Sequence, residues 1–372
     1  MSKTRDEAMA IEATKYTMRL RQDEPNEQGE YEEHLYTFPA YDTVVRLMEL
    51  YKMVAKVVSR NAPLFRWKSG RVPLRLFGIH GCTEGHVAPT QLGKELLQYA
   101  NENMEGNRLQ FPKHEFHPII ELFGRYARQI DSYVGVPTEE GCAKLNECVE
   151  AMRAEARTAV FQNRRDRHLR ASREATKGVL ALIDALFRRR SRILVVRLEL
   201  SYRKGTTSLV PRSINDLFYH VSERQARDHR DALIRFLKRE YQVPLLTYAW
   251  KEEQLQFTSN CYQLLLFFDG SVAHDGFSVG QQIGEHWVDA ITGSKGRFHN
   301  CNASKHWDQG VGIINDYDTV KIKALKERVV PYLTKVDYFV RLVSKGRIFG
   351  KGGLPKAEGN KRGRPRKRPF VL

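Results

Sequence analysis

Cysteine is scarce in this chain of 372 residues: Cys82, Cys142, Cys148, Cys261 and Cys301 form an odd, scattered set with no CxxC pair. That spacing argues against a disulfide scaffold or a zinc ribbon and for reduced thiols in a cytosolic protein. Long apolar runs are missing too. No stretch approaches the roughly 20 residues that span a bilayer, and the opening Met1-Ser2-Lys3-Thr4-Arg5-Asp6-Glu7 holds no apolar core of the secretory kind. No membrane partner is expected. Acid is the last shortage, with 44 Asp and Glu against 61 Lys and Arg and a net charge of +17. Such an excess attracts polyanions, of which nucleic acid is the commonest in a cytosol.

The charge is unevenly placed. From Lys345 to Leu372 ten Lys and Arg stand against one acid, Glu358. Two further basic runs, residues 163–170 and 188–192, flank the amphipathic stretch Val179–Phe187 and suit either a solvated helix face or phosphate contact. Residues 1–37 are polar, rich in Glu, Gln and Asp, and read as disordered. From 38 to 190 the chain reads as a mostly helical region. Val44, Leu47, Met48, Tyr51 and Val54 recur at helical spacing, Pro112–Val134 repeats the pattern, and Thr138–Phe161 puts Cys142, Leu145, Val149 and Met152 on one face. His286, His299 and His306 fit no zinc spacing and are expected to serve polar packing.

Residues 191–345 change character. Ile193–Leu200 reads as a strand, Leu245–Trp250 as a second, and Tyr262–Phe268 as a third that opens on the polar triplet Cys261-Tyr262-Gln263. Ser213–Lys238 is predicted as a helix capped by Ser213, and Lys321–Arg341 as another, carrying Tyr332 and Lys335 one turn apart. The order strand, helix, strand, strand, helix gives an α+β fold: an antiparallel sheet with helices on one face, preceded by the helical N-terminal region.

In their order and spacing, several pieces resemble the YagK/YfjJ-type family, also called the inovirus gene-two-protein-like family, of filamentous phages and prophages. They are Arg192-Ile193-Leu194-Val195-Val196-Arg197, Trp250-Lys251-Glu252-Glu253, Cys261-Tyr262-Gln263-Leu264-Leu265-Leu266, Ile291-Thr292-Gly293, His299-Asn300-Cys301 and Tyr332-Leu333-Thr334-Lys335. The resemblance covers residues 192 to about 350. It implies kinship with rolling-circle replication initiators and an HUH-endonuclease-like fold. In those enzymes two histidines and an acidic or polar ligand hold Mg2+ or Mn2+, and a helix tyrosine attacks the scissile phosphate. Tyrosine is a weak nucleophile at neutral pH, so the chemistry needs an electrophilic metal and a cation near the phosphate.

By this resemblance Tyr332 is the nucleophile and Lys335 its charge-stabilising neighbour. Glu253 takes the acidic ligand position, with Glu252 as an alternative register, and Cys261 and Gln263 take the two histidine positions. A glutamine oxygen can ligate Mg2+, whereas a thiol suits softer metals. The departure leaves two readings open: a metal-dependent DNA-nicking enzyme, or a non-catalytic protein with a degenerate metal site.

The basic tail resembles the AT-hook, which implies DNA-binding roles for Arg362, Gly363, Arg364, Pro365, Arg366, Lys367 and Arg368. Glycine permits close backbone approach, proline fixes an extended course, and the narrow A·T minor groove draws arginine. A generic basic tail is the plainer alternative. Residues 346–372 are thus expected to bind A·T-rich duplex and residues 191–345 single-stranded DNA. The whole is expected to be a DNA-binding protein of a phage, prophage or mobile element in the bacterial cytoplasm. It would be either a replication initiator using Mg2+ or Mn2+, or a regulator or DNA-organising protein on the same fold. Host replication proteins are further candidate partners. A purely protein-binding adaptor is a third reading, against which the tail argues.

Overall fold

The computed structural model describes residues 6–11, 19–25, 31–37, 41–76, 79–134, 138–203, 221–253, 261–302 and 310–353. The chain divides into two compact units. One comprises Met1–Thr37, Ser172–Val336 and Ser344–Leu372, the other Phe38–Ala171 and Asp337–Val343. Within the polar first stretch, residues 6–11 form a short helix, α1, and β1 (Arg19–Pro25) pairs antiparallel with β2 (Tyr31–Thr37).

The unit built on Phe38–Ala171 is the helical region. It contains α2 (Tyr41–Ser59), a long hairpin of β3 (Phe65–Leu76) and β4 (Ile79–Pro89), α3 (Gln91–Gln98), α4 (Met104–Gln110), β5 (His114–Phe116), α5 (Pro118–Tyr133) and α6 (Glu139–Arg157). The periodic residues go inward as their spacing requires: Val44, Leu47, Met48 and Val54 on α2, and Cys142, Leu145, Val149 and Met152 on α6, are all buried. The predicted helix Thr138–Phe161 is two helices. Thr138 caps the first, its Oγ1 accepting the Gly141 N–H at 3.0 Å. Thr158 breaks the run and accepts the Phe161 N–H at 3.2 Å, so that α7 (Ala159–Arg189) begins beside it.

The other unit carries β6 (Arg192–Tyr202), α8 (Glu223–Arg239), β7 (Leu245–Glu253), β8 (Cys261–Asp269) and α9 (Gly276–His286), which runs on into a π turn at Trp287–Ile291. Then come β9 (Gly296–Asn300), β10 (Gly312–Asn315), α10 (Thr319–Ala324), a second π turn at Leu325–Val329 and α11 (Val330–Thr334). After β11 (Val340–Leu342), which belongs to the helical unit and pairs there with β5, β12 (Phe349–Lys351) closes the order. The strand order is β10-β6-β8-β7-β12, with β9 also on β6, and every pairing is antiparallel.

Helices cover both faces of this sheet, not one. Leu194, Val196, Leu198, Leu264, Leu266 and Phe268 pack with α8 and α9, while Ile193, Val195, Leu265 and Phe267 pack with α7 and the helix of Leu325–Leu333. The reason lies in the strands themselves. β6 and β8 are apolar at successive positions rather than alternate ones, the pattern of strands buried on both sides.

Two helix boundaries also differ from expectation. Ser213 lies outside the described residues. The described helix α8 is capped by Ser222, whose Oγ accepts the Gln225 N–H while the Gln225 side chain accepts from Ser222 N, a complete capping box. The helix predicted to reach Arg341 stops at Thr334. Pro331 sits in the first turn of α11, after a π turn in which the Val330 N–H reaches back to the Leu325 carbonyl, and the helix closes where the Lys335 N–H bonds the Pro331 carbonyl at 2.7 Å. Ile291-Thr292-Gly293 is a turn: Gly293 (φ 57°) and Ser294 (φ 64°) both lie in the left-handed region, and the Lys295 N–H closes back on the Thr292 carbonyl at 3.3 Å.

A candidate nucleic-acid site on the sheet face

On the face that packs with α7 and α11, the sheet is apolar at one end and polar at the other. Along β6 the inward positions run Ile193, Val195, Arg197, Glu199; along β8 they run Phe267, Leu265, Gln263, Cys261; along β7, Ala249, Lys251, Glu253. The register makes Glu199, Gln263 and Lys251 one row across three strands, and Cys261 with Glu253 the next. Directly opposite residues of antiparallel strands share a face within about 5 Å. Strand alternation and register thus put Glu253, Cys261 and Gln263, the three positions implied by the resemblance, on one face. Glu252, the alternative register, faces the other way: it sits opposite Tyr262, and burial, only partly offset by Arg230 and Arg227, raises its carboxyl pKa.

Arg197 is the centre of this polar end. Its guanidinium is buried, at 4% exposure, and its Nη2 donates to Glu199 Oε1 at 2.8 Å and to Gln263 Oε1 at 3.1 Å. The same guanidinium stacks over the Tyr332 ring, 5.1 Å from its centroid, a cation–π geometry. Burial opposes its charge, but Cys301, Glu199, Tyr332 and Glu253 around it more than offset that and raise its pKa. Tyr332, itself buried on α11, thus faces the mouth of β8 with Arg197 between its ring and Gln263.

Lys335 goes elsewhere. Its ammonium is buried and bonds Asp6 Oδ1 at 3.1 Å. Burial lowers its pKa, with Asp6 acting the other way. The pairing of Tyr332 with Lys335 expected from one-turn spacing is therefore not made through the charged group.

Whether Mg2+ or Mn2+ fits the predicted ligands is decided by donor chemistry. Burial first, and then Glu253 and Glu199, push the Cys261 thiol pKa well up, and its sulfur is a soft donor. The Gln263 oxygen accepts from Arg197, so a positive charge lies directly against one of the three positions. A soft sulfur donor and a buried guanidinium do not suit a hard divalent cation. Among the described residues, no group of three His, Cys, Asp or Glu is arranged to hold a metal.

Arg197 and Glu199 escaped the sequence reading, although a signal existed: two charges at alternate positions of an otherwise apolar strand. His286 does serve packing, stacked on Phe236 with centroids 3.6 Å apart. His306 and the tail residues Arg362, Gly363, Arg364, Pro365, Arg366, Lys367 and Arg368 lie outside the described residues.

The model of the YagK/YfjJ C-terminal domain matches residues 155–352, more than half of the chain. The protein belongs to that family. The match begins ahead of β6 and takes in all of α7, so the helix behind Arg197 and Tyr332 is part of the family domain. No curated protein and no solved structure matches the chain.

Proposed function

We propose that this is a DNA-binding protein on a sheet related to that of rolling-circle replication initiators, and that it holds single-stranded DNA rather than cutting it with a metal. The observation that carries this reading is the Arg197 guanidinium lying between Gln263 and Tyr332. A fixed cation there, buried and already paired with Glu199 and Gln263, leaves no vacant coordination position at which a phosphate oxygen could be polarised. The net charge of +17 and the kinship with replication initiators that the motif resemblance implies support nucleic acid as the partner. The antiparallel sheet with a tyrosine helix against its polar end supports the HUH-like kinship. The AT-hook-like tail would add a duplex contact at A·T-rich sequence.

One observation favours the nicking alternative: Tyr332 is on the sheet face that carries Glu253, Cys261 and Gln263. The test is incubation of the full chain with single-stranded DNA and Mn2+, followed by denaturing electrophoresis. The proposal expects retention of the DNA with no covalent adduct. An adduct that disappears in Tyr332→Phe would replace it with the nicking reading, and absence of DNA binding at low salt would sink both.

A further inference from the structure

Beside α7 lies a cavity of about 590 Å3 lined by Asp6, Arg173, Thr176, Lys177, Leu180 and Lys335, among others. None of its lining residues belongs to the Arg197 cluster. Its polar wall is cationic: Arg173, Lys177 and Lys335 face it, whereas of its two acids Asp184 is paired with Lys326. The remaining acid, Asp6, does two jobs. It accepts from Lys335 Nζ at 3.1 Å and from Arg173 Nε at 3.3 Å, and both Asp6 and Lys335 are buried, at 6% and 1% exposure. A buried ammonium requires a counter-charge. Here that charge is delivered by residues 6–11 of α1, and a helix of a single turn and a half is marginal without tertiary support.

The cavity is larger than one carboxylate needs. Its volume is in the range of pockets that take small molecules, roughly 300–1,000 Å3. A lysine and a planar guanidinium on one anion, with a second lysine in the same lining, match a tetrahedral phosphate, with three acceptor oxygens and greater charge, better than a carboxylate. We propose that this cavity is a phosphate-binding site in which Asp6 acts as a tethered stand-in that an incoming phosphate group displaces. The backbone of a nucleic-acid strand and a free nucleotide-like molecule both present this group to Lys335, and the two sources are separated experimentally.

Full-length protein and Asp6→Asn are compared by thermal unfolding with and without millimolar pyrophosphate, at ionic strength matched with chloride. The expected result is a rise in Tm of several degrees in Asp6→Asn, a smaller one in the parent chain, and none in Asp6→Asn/Lys335→Met. Should Asp6→Asn fail to fold in chloride, recovery by pyrophosphate counts for the site, and failure in both salts counts against it. A labelled oligo(dT) is titrated in parallel. Tightening by about tenfold or more in Asp6→Asn, the release of a site otherwise occupied in most molecules, identifies a strand as the source; a pyrophosphate response without that tightening identifies a free phosphate ligand. No pyrophosphate response together with unchanged oligo(dT) affinity would overturn the proposal. Oligo(dT) binding by the parent chain reports separately on the proposed DNA-binding function.

Discussion

Arg197 decides how the polar end of the sheet behaves, because it is the positive charge shared by Glu199, Gln263 and the Tyr332 ring. Removing one member of a buried ion pair leaves the other uncompensated, at a cost of about 3–5 kcal/mol. Arg197→Met should fall at the lower end of that range, since the Glu199 side chain keeps 25% exposure and water can reach it. Urea unfolding measures this, and a loss below about 1 kcal/mol, the level of an exposed pair, would show that the guanidinium is not the keystone of the site. Residue spacing made part of the site legible beforehand. Cys261 and Gln263 share a face by strand alternation, and Glu253 joins them through the register of β7 on β8. The pairing of Lys335 with Asp6 was not legible: 329 positions separate them, and no local periodicity reports a contact that long. The helical spacing of Tyr332 and Lys335 was correct about their backbone yet silent about the carboxylate that draws the ammonium away.

Elements were legible where one physical signal dominated. β6, β7 and β8 appeared at their expected places because β-branched and aromatic runs are short and bounded, and α2 and α6 because their apolar stripes are regular. Ends were misplaced at Thr158 and Ser222, where a cap interrupts the expected run, and at Thr334, where α11 closes. The junction of α5, α7 and the segment Asp337–Val343 shows chemistry that no periodicity reports. His117 caps α5, its Nδ1 accepting the Ile119 N–H at 3.1 Å, and His168 Nε2 meets the Tyr338 carbonyl at 3.1 Å. Burial, then Arg341, lowers the His168 pKa to about 4, with the Tyr338 carbonyl, Glu115 and Asp337 opposing. Burial, then His168 and Arg165, lowers that of His117 well below its usual value. A histidine whose pKa is depressed on folding binds its proton more readily when unfolded, so it stabilises the fold above pH 6.5 and loses that contribution as pH falls toward the folded value. For His168 the loss should reach about 2 kcal/mol by pH 5. Unfolding followed between pH 7.5 and 5 should therefore show falling stability, and His168→Gln, which keeps a donor for Tyr338, should flatten the slope. An identical slope in parent and variant would exclude His168 as the titrating group.

For the whole molecule the governing quantity is charge, and its strongest concentration is the basic C-terminal stretch. β12 pairs with β7, Gly352 N–H bonds the Tyr248 carbonyl at 2.8 Å, and the Thr247 hydroxyl bonds the Gly353 carbonyl at 2.9 Å. A truncation that tests the tail must therefore stop after Gly353, or it will strip the sheet edge as well. Removing residues 354–372 deletes seven Lys and Arg and one acid, Glu358. Each cation that contacts duplex phosphate contributes about 0.9 to the slope of log affinity against log salt, so the slope should fall by a few units and at most by about six. That change is blind to sequence and follows from charge alone. A groove-seeking motif adds a second effect, because arginines lying in the narrow A·T minor groove gain a more negative potential and shape-matched contacts that G·C-rich duplex withholds. The truncated chain should accordingly lose more affinity for A·T-rich than for G·C-rich duplex at one salt concentration, while single-stranded DNA, which the proposed function assigns to the folded domain, should be affected less than either. Equal losses on the two duplexes would reduce the tail to a polycation, and a selective loss on single strands would move the principal strand contact from the sheet face to the tail.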